Sequence, residues 1–176
     1  MIRYMVELGL ASMLTLDRAT IASLVAGSAE SYGGDSAREL EDLAAVLGAA
    51  KPAELFWGLY QSFTGQPIES RRYPQQAHAG SLLLRLRPPS PIPVCDAIRD
   101  IHGGLEVSVE ELPWYFSVAC GEDAVWKAMV QLEAEPLDDR QRLALHTFRY
   151  WLLPGWRENP LAQLRLETEP KTELKK

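Results

Sequence analysis

Apolar residues recur at helical spacing along both ends of the chain. After Asp17, Ile21, Leu24, Val25 and Tyr32 share one face. Asp17 is placed to cap that helix, and Gly33-Gly34 to end it. Ser36-Ala-Arg-Glu39 fits a capping box, in which Ser and Glu each satisfy an orphan backbone N–H, and Leu40, Leu43, Ala44 and Leu47 continue the helix. A third helix starts at Pro52, where the missing N–H costs nothing. It carries Leu55, Phe56, Leu59, Tyr60 and Phe63 to a stop at Gly65.

The pattern then changes. Residues 66–94 hold Pro67, Pro74, Pro88, Pro89, Pro91 and Pro93, so the stretch is expected to be irregular and extended. Within it, Ser81–Arg87 alternates as a strand would, with Leu82, Leu84 and Leu86 opposite Leu83, Arg85 and Arg87. Val94–His102 reads as a short helix. Leu105–Val109 alternates again, yet Ser108-Val-Glu-Glu111 fits a second capping box. The compromise is a strand over 105–107 running into a helix over 109–120, with Pro113 near its first turn. Trp114–Cys120 could also be a strand on aromatic content. Helical spacing returns with Val125, Ala128, Met129 and Leu132, closed by Pro136. It returns once more with Leu145, Phe148 and Leu152 after Leu137-Asp138-Asp139, closed by Pro154-Gly155.

These elements predict a mainly α fold. The expectation is a helical-hairpin bundle of six to seven helices with an irregular Pro-rich middle segment and room for a small two- or three-stranded sheet. At 176 residues and 47% hydrophobic, one globular domain over 1–165 is expected, with a flexible tail over 166–176. Two cysteines are too few for a disulfide scaffold. Glu7 interrupts the apolar start, and no apolar run reaches membrane-spanning length, so the reading is a cytoplasmic protein without a membrane span.

Charge narrows the partners. The net charge of −6 disfavours nucleic acid and anionic membranes. It is distributed in blocks: −5 over residues 1–69, +4 over 70–95, −9 over 96–139 and +4 over 140–165. The basic blocks either pair with the acidic ones inside the fold or face a partner.

Candidate chemistry is thin. Cys95, Cys120, His78, His102 and His146 lack any zinc-ligand spacing, and two buried, inert thiols explain the cysteines better, so no metal or cofactor is expected. Cys95 with His102, or Cys120 with His146, would be needed for nucleophilic catalysis, but no nucleophile motif accompanies them. Asp96, Asp100, Glu106, Glu110 and Glu111 could supply acid–base pairs, although such clusters are more often solvated faces. Gly33-Gly34-Asp35 and Gly103-Gly104 lack phosphate-loop spacing. No catalytic residue is assigned.

Aromatics gather at Phe56-Trp57 with Tyr60 and Phe63, at Trp114-Tyr115-Phe116, and at Phe148 with Tyr150-Trp151 and Trp156. Neighbours on a helix cannot share one direction, so at least one in each cluster must meet a second surface. With the Arg-rich segments, they point to a non-catalytic protein–protein interaction module: an adaptor, an assembly factor or an immunity-like inhibitor. Its contacts are expected at Arg71, Arg72, Tyr73, Trp114 and Trp156. The partner is another protein or a second copy of the chain, and an acidic helical protein suits a basic partner. The alternative is a small enzyme or ligand-binding protein with a pocket under 66–107, using His102 as its base.

Overall fold

The computed structural model describes residues 16–32, 37–65, 71–101, 104–159 and 162–163. Among these, eight α-helices form and no strand does. They are α1 (Arg18–Tyr32), α2 (Ala37–Leu47), α3 (Pro52–Thr64), α4 (Arg72–Leu86), α5 (Val94–Asp100), α6 (Glu111–Ala119), α7 (Glu122–Glu133) and α8 (Asp139–Trp151). A 3₁₀ turn, Trp156–Glu158, follows α8.

Local chemistry sets several of the helix ends. The Asp17 carboxylate accepts the Thr20 backbone N–H at 2.8 Å, a cap that also holds this carboxyl below its ordinary pKa. Pro52 occupies the first turn of α3, and Gly65 closes it. Asp138 and Gln141 form a reciprocal capping box at the start of α8. The box anticipated at Ser36 involves a residue outside those described, as do Gly33-Gly34 and residues 66–70.

The middle of the chain departs from its sequence pattern. Residues 72–86, expected to be extended, form the helix around which the others pack: α4 meets α1, α2, α3 and α6. The prolines bracket this helix and leave its interior free. Pro74 lies in the first turn, whose N–H groups have no helical acceptor, and Pro88 follows the C-cap. Leu82, Leu83 and Leu84 are all buried, so the alternation read as a strand reflects a helix enclosed on every side. Arg87 ends α4 in the left-handed conformation (φ 48°), its backbone N–H donating to the Leu83 carbonyl. Among the described residues of this stretch, 87–93 keep the irregular character expected of it.

The small sheet is likewise absent from the described residues. Residues 104–110 are irregular, and the other strand candidate, Trp114–Cys120, lies in α6, with Cys120 as its C-cap. No side chain caps α6: Glu110 takes the N-cap position, and the buried Glu111 carboxylate accepts from Ser81 Oγ at 3.3 Å across the α4–α6 interface. The second capping box gives way to this tertiary contact.

One hydrophobic cluster runs from Ile21 to Ala162. A file of rings crosses it, with Phe63 beside Tyr60, Tyr60 against Phe116 at 6.3 Å and Phe116 against Phe148 at 6.3 Å. Gly58 lets α3 cross α1 closely, since a Cβ there would fall 2.6 Å from Ile21 Cβ, and Gly80 does the same for α4 against Glu111 of α6. The polar tips of the buried tyrosines find carbonyls: Tyr60 donates to Ala97 and Tyr115 to Pro88. Burial pushes both hydroxyls above their usual pKa, so they remain protonated donors. Buried Gln76 ties the irregular 104–106 stretch to α3 and α4. Its amide donates to Ser62 and Gly104 carbonyls, and its carbonyl accepts the Glu106 N–H at 2.8 Å.

Candidate interaction surface

The five residues singled out from sequence fall in two places. Arg71 and Tyr73 stand exposed at the start of α4, where Arg71 pairs with Glu30 of α1. Arg72 between them is half-buried. Trp114 and Trp156, in contrast, are only 1% and 6% exposed. Their rings stack on each other, 5.7 Å apart and nearly parallel, so a partner would meet them only through what covers them.

What covers them is the end of α8. Leu145, Phe148 and Leu152 turn inward, while Tyr150, about 200° round the helix from Phe148, turns outward. Past Trp151 the chain bends through Leu153, Pro154 and Gly155 (φ 84°), a left-handed turn suited to glycine, and returns Trp156 onto Trp114. Trp114 donates its indole N–H to the Trp151 carbonyl at 3.0 Å. Trp151 donates its own to the Val107 carbonyl, also at 3.0 Å. These bonds draw residue 107, the end of α8 and the 3₁₀ turn into one shelf.

Large apolar groups remain open to water there: Tyr150 is 64% exposed, Leu153 50% and Val107 46%. Tyr150, Trp151, Leu153, Pro154, Gly155, Trp156, Glu158 and Asn159 line a shallow concavity of about 420 Å³. Tyr150 meets Trp151 edge-on at 4.9 Å. The aromatic run Tyr150-Trp151 was visible in the sequence. The outward direction of Tyr150 follows once Phe148 is fixed inward; Val107 and Leu153 carry no comparable signal.

The charge blocks largely answer one another. Arg99 pairs with Glu135 at 2.7 Å and with Asp96 at 2.6 Å. Arg149 pairs with Glu133 at 2.6 Å, and Arg157 lies 3.7 Å from Glu122. Arg85 reaches Glu41 at 3.7 Å. Hydrogen bonds from Arg99 hold the Glu135 carboxyl below its ordinary pKa. Arg149 also lies over the Trp126 ring, and Arg157 over that of Trp156.

The groups weighed for catalysis are not brought together. Cys95 Sγ accepts from Arg99 at 3.6 Å. Cys120 is half-buried, and burial raises its thiol pKa, which disfavours the nucleophilic thiolate. His102 lies outside the described residues. His146 is exposed in a cleft of about 230 Å³ beside Glu133, Glu135, Arg142 and Arg149, whose charges are already paired. Buried His78 sits within α4, its Nδ1 3.0 Å from the Pro74 carbonyl. Among the described residues, no three His, Cys, Asp or Glu side chains converge as metal ligands would. No helix of the described residues is long and apolar enough to cross a membrane. No protein-family model, curated protein or solved structure matches the chain, so any functional reading rests on these side chains alone.

Proposed function

We propose that this chain is a non-catalytic protein-interaction module that docks its partner on the shelf at the end of α8. The observation that carries this reading is the exposure of Tyr150 and Leu153 on one concavity, on backbone anchored by the Trp114 and Trp151 hydrogen bonds. Aromatic side chains held on a rigid base lose little conformational freedom when they bind, which makes them good anchors. Trp114 and Trp156 serve from beneath, as the floor that fixes the exposed groups. Tyr73 and Arg71 form a second contact region; Tyr73 lies one turn before Gln76, whose side chain holds Glu106 next to Val107.

The test is affinity purification from native extract with the unaltered protein and a Tyr150→Ser/Leu153→Ser variant in parallel. A stoichiometric partner should accompany the former and be lost from the latter, while circular dichroism and thermal melting of the two agree. A partner retained equally by both, or none with either, rejects the shelf as the docking site.

A further inference from the structure

We infer that residues 154–159 form a flap, latched by Trp156 against Trp114, that opens while the helices stay folded. The inference goes beyond the interaction reading above and does not depend on it.

The segment lies between two buried points, Leu152 at the end of α8 and Ala162, both 0% exposed. Between them Pro154, Gly155, Arg157 and Glu158 are exposed and Asn159 is half-buried; among the described residues of this stretch, Trp156 alone is buried. Its backbone bonds are short-range. The N–H groups of Trp156, Glu158 and Asn159 donate to the carbonyls of Leu153, Gly155 and Trp156. A segment closed by its own turns can move as one piece without breaking the hydrogen-bond ladder of any α-helix.

Its tie to α6 is one ring, and that tie is incomplete. Trp156 stacks on Trp114, while Arg157 lies over the Trp156 ring and forms an exposed pair with Glu122 at 3.7 Å, a contact of little weight. Trp114 and Trp151 bond their indole N–H groups to the carbonyls of Trp151 and Val107. The Trp156 indole N–H, by contrast, is buried without an acceptor among the described residues. A buried donor left unbonded disfavours the closed state, and opening returns it to water. Neither of the other two indole bonds runs through the flap, so Trp114 and the end of α8 keep their places when Trp156 leaves. Gly155 (φ 84°) supplies the turn, and Pro154 before it has a fixed φ, so the movement concentrates in few bonds. Once open, the concavity loses the wall built by Trp156, Glu158 and Asn159, and the flap thereby decides whether the shelf is whole.

Hydrogen exchange on the full chain, followed by NMR, tests this. With no hydrogen bond of its own, the Trp156 indole N–H owes its protection to closure. That protection should exceed the value for free indole, fall about tenfold or more below that of amides in the middle of α8, and stay constant in low urea, as for an opening that exposes little surface. Trp156→Ala should speed exchange of the Glu158 and Asn159 amides about tenfold, the size of one lost ring contact. Its loss of global stability, read from the slowest α8 amides, should not exceed the free energy of opening read from the indole of the unaltered protein. Trp156→Phe keeps a ring on Trp114 and removes the unbonded N–H, so exchange at Glu158 and Asn159 should stay near the unaltered rate. An unprotected Trp156 indole, or protection that disappears only with the helices, overturns the flap. A Trp156→Ala chain that fails to fold, loses more stability than the opening accounts for, or exchanges Glu158 and Asn159 at the unaltered rate overturns it too, as does a Trp156→Phe variant as open as the alanine one. The interaction reading fails separately, by the extract comparison above.

Discussion

Single side chains in this protein do two kinds of work, fastening helices and facing water. Arg99 belongs to the first kind. Its bidentate contact with Glu135 joins α5 to the end of α7, and it lowers the Glu135 carboxyl pKa in the folded state. A depressed folded pKa contributes stability above the unfolded-state value, and the contribution is lost as pH falls through the folded one. Glu135→Gln should therefore be less stable than the unaltered protein near neutrality. The gap should close as the pH drops below about 4, as urea unfolding at a series of pH values would reveal. A gap independent of pH would mean that Glu135 acts through packing instead. Tyr150 belongs to the second kind. Its outward position was implicit in the sequence, because a residue two places after an inward Phe148 must point away.

At the level of elements, the reading of the sequence succeeded where a helix has one wet face. α3, α7 and α8 each keep polar residues on one side, so their periodicity marks them, and their Pro and Gly ends agree. It failed at α4, and at α6 it left a strand in competition with the helix expected over 109–120, which does form as Glu111–Ala119; one physical reason lies behind both. Helices enclosed by neighbours have no polar stripe, and period alone cannot separate them from strands. Ser81–Arg87 alternates only because its two arginines emerge near the end of an otherwise buried helix. Trp114, Tyr115 and Phe116 all lie inside, their second surface being neighbouring helices. For that reason the burial of Trp114 was not legible in the sequence. The two readings of residues 81–87 differ sharply at Leu83, which the strand pattern turns outward with the arginines. Leu83→Ala should cost about 2–5 kcal/mol, as much as Leu82→Ala or Leu84→Ala, measured by urea denaturation. A cost near zero for Leu83 alone would restore the strand.

Across the whole molecule, the blocks of charge along the chain become pairs in space. Both basic blocks reach acidic ones, with Arg85 near Glu41 and Arg149 on Glu133. Exposed pairs of this sort contribute little to stability. Because the buried cluster is continuous from α1 to Ala162, unfolding should be a single cooperative transition. Tryptophan emission and far-ultraviolet circular dichroism should give coincident urea curves; two separated transitions would divide the molecule into independent halves. The stacked indoles of Trp114 and Trp156 give this protein an optical gauge of its own. Two parallel chromophores so close together couple excitonically, and Trp151 sits edge-on beside them. Any ligand that tilts the shelf, or any cut that frees the end of the chain, would register in that spectral couplet before the helices melt, with no label attached.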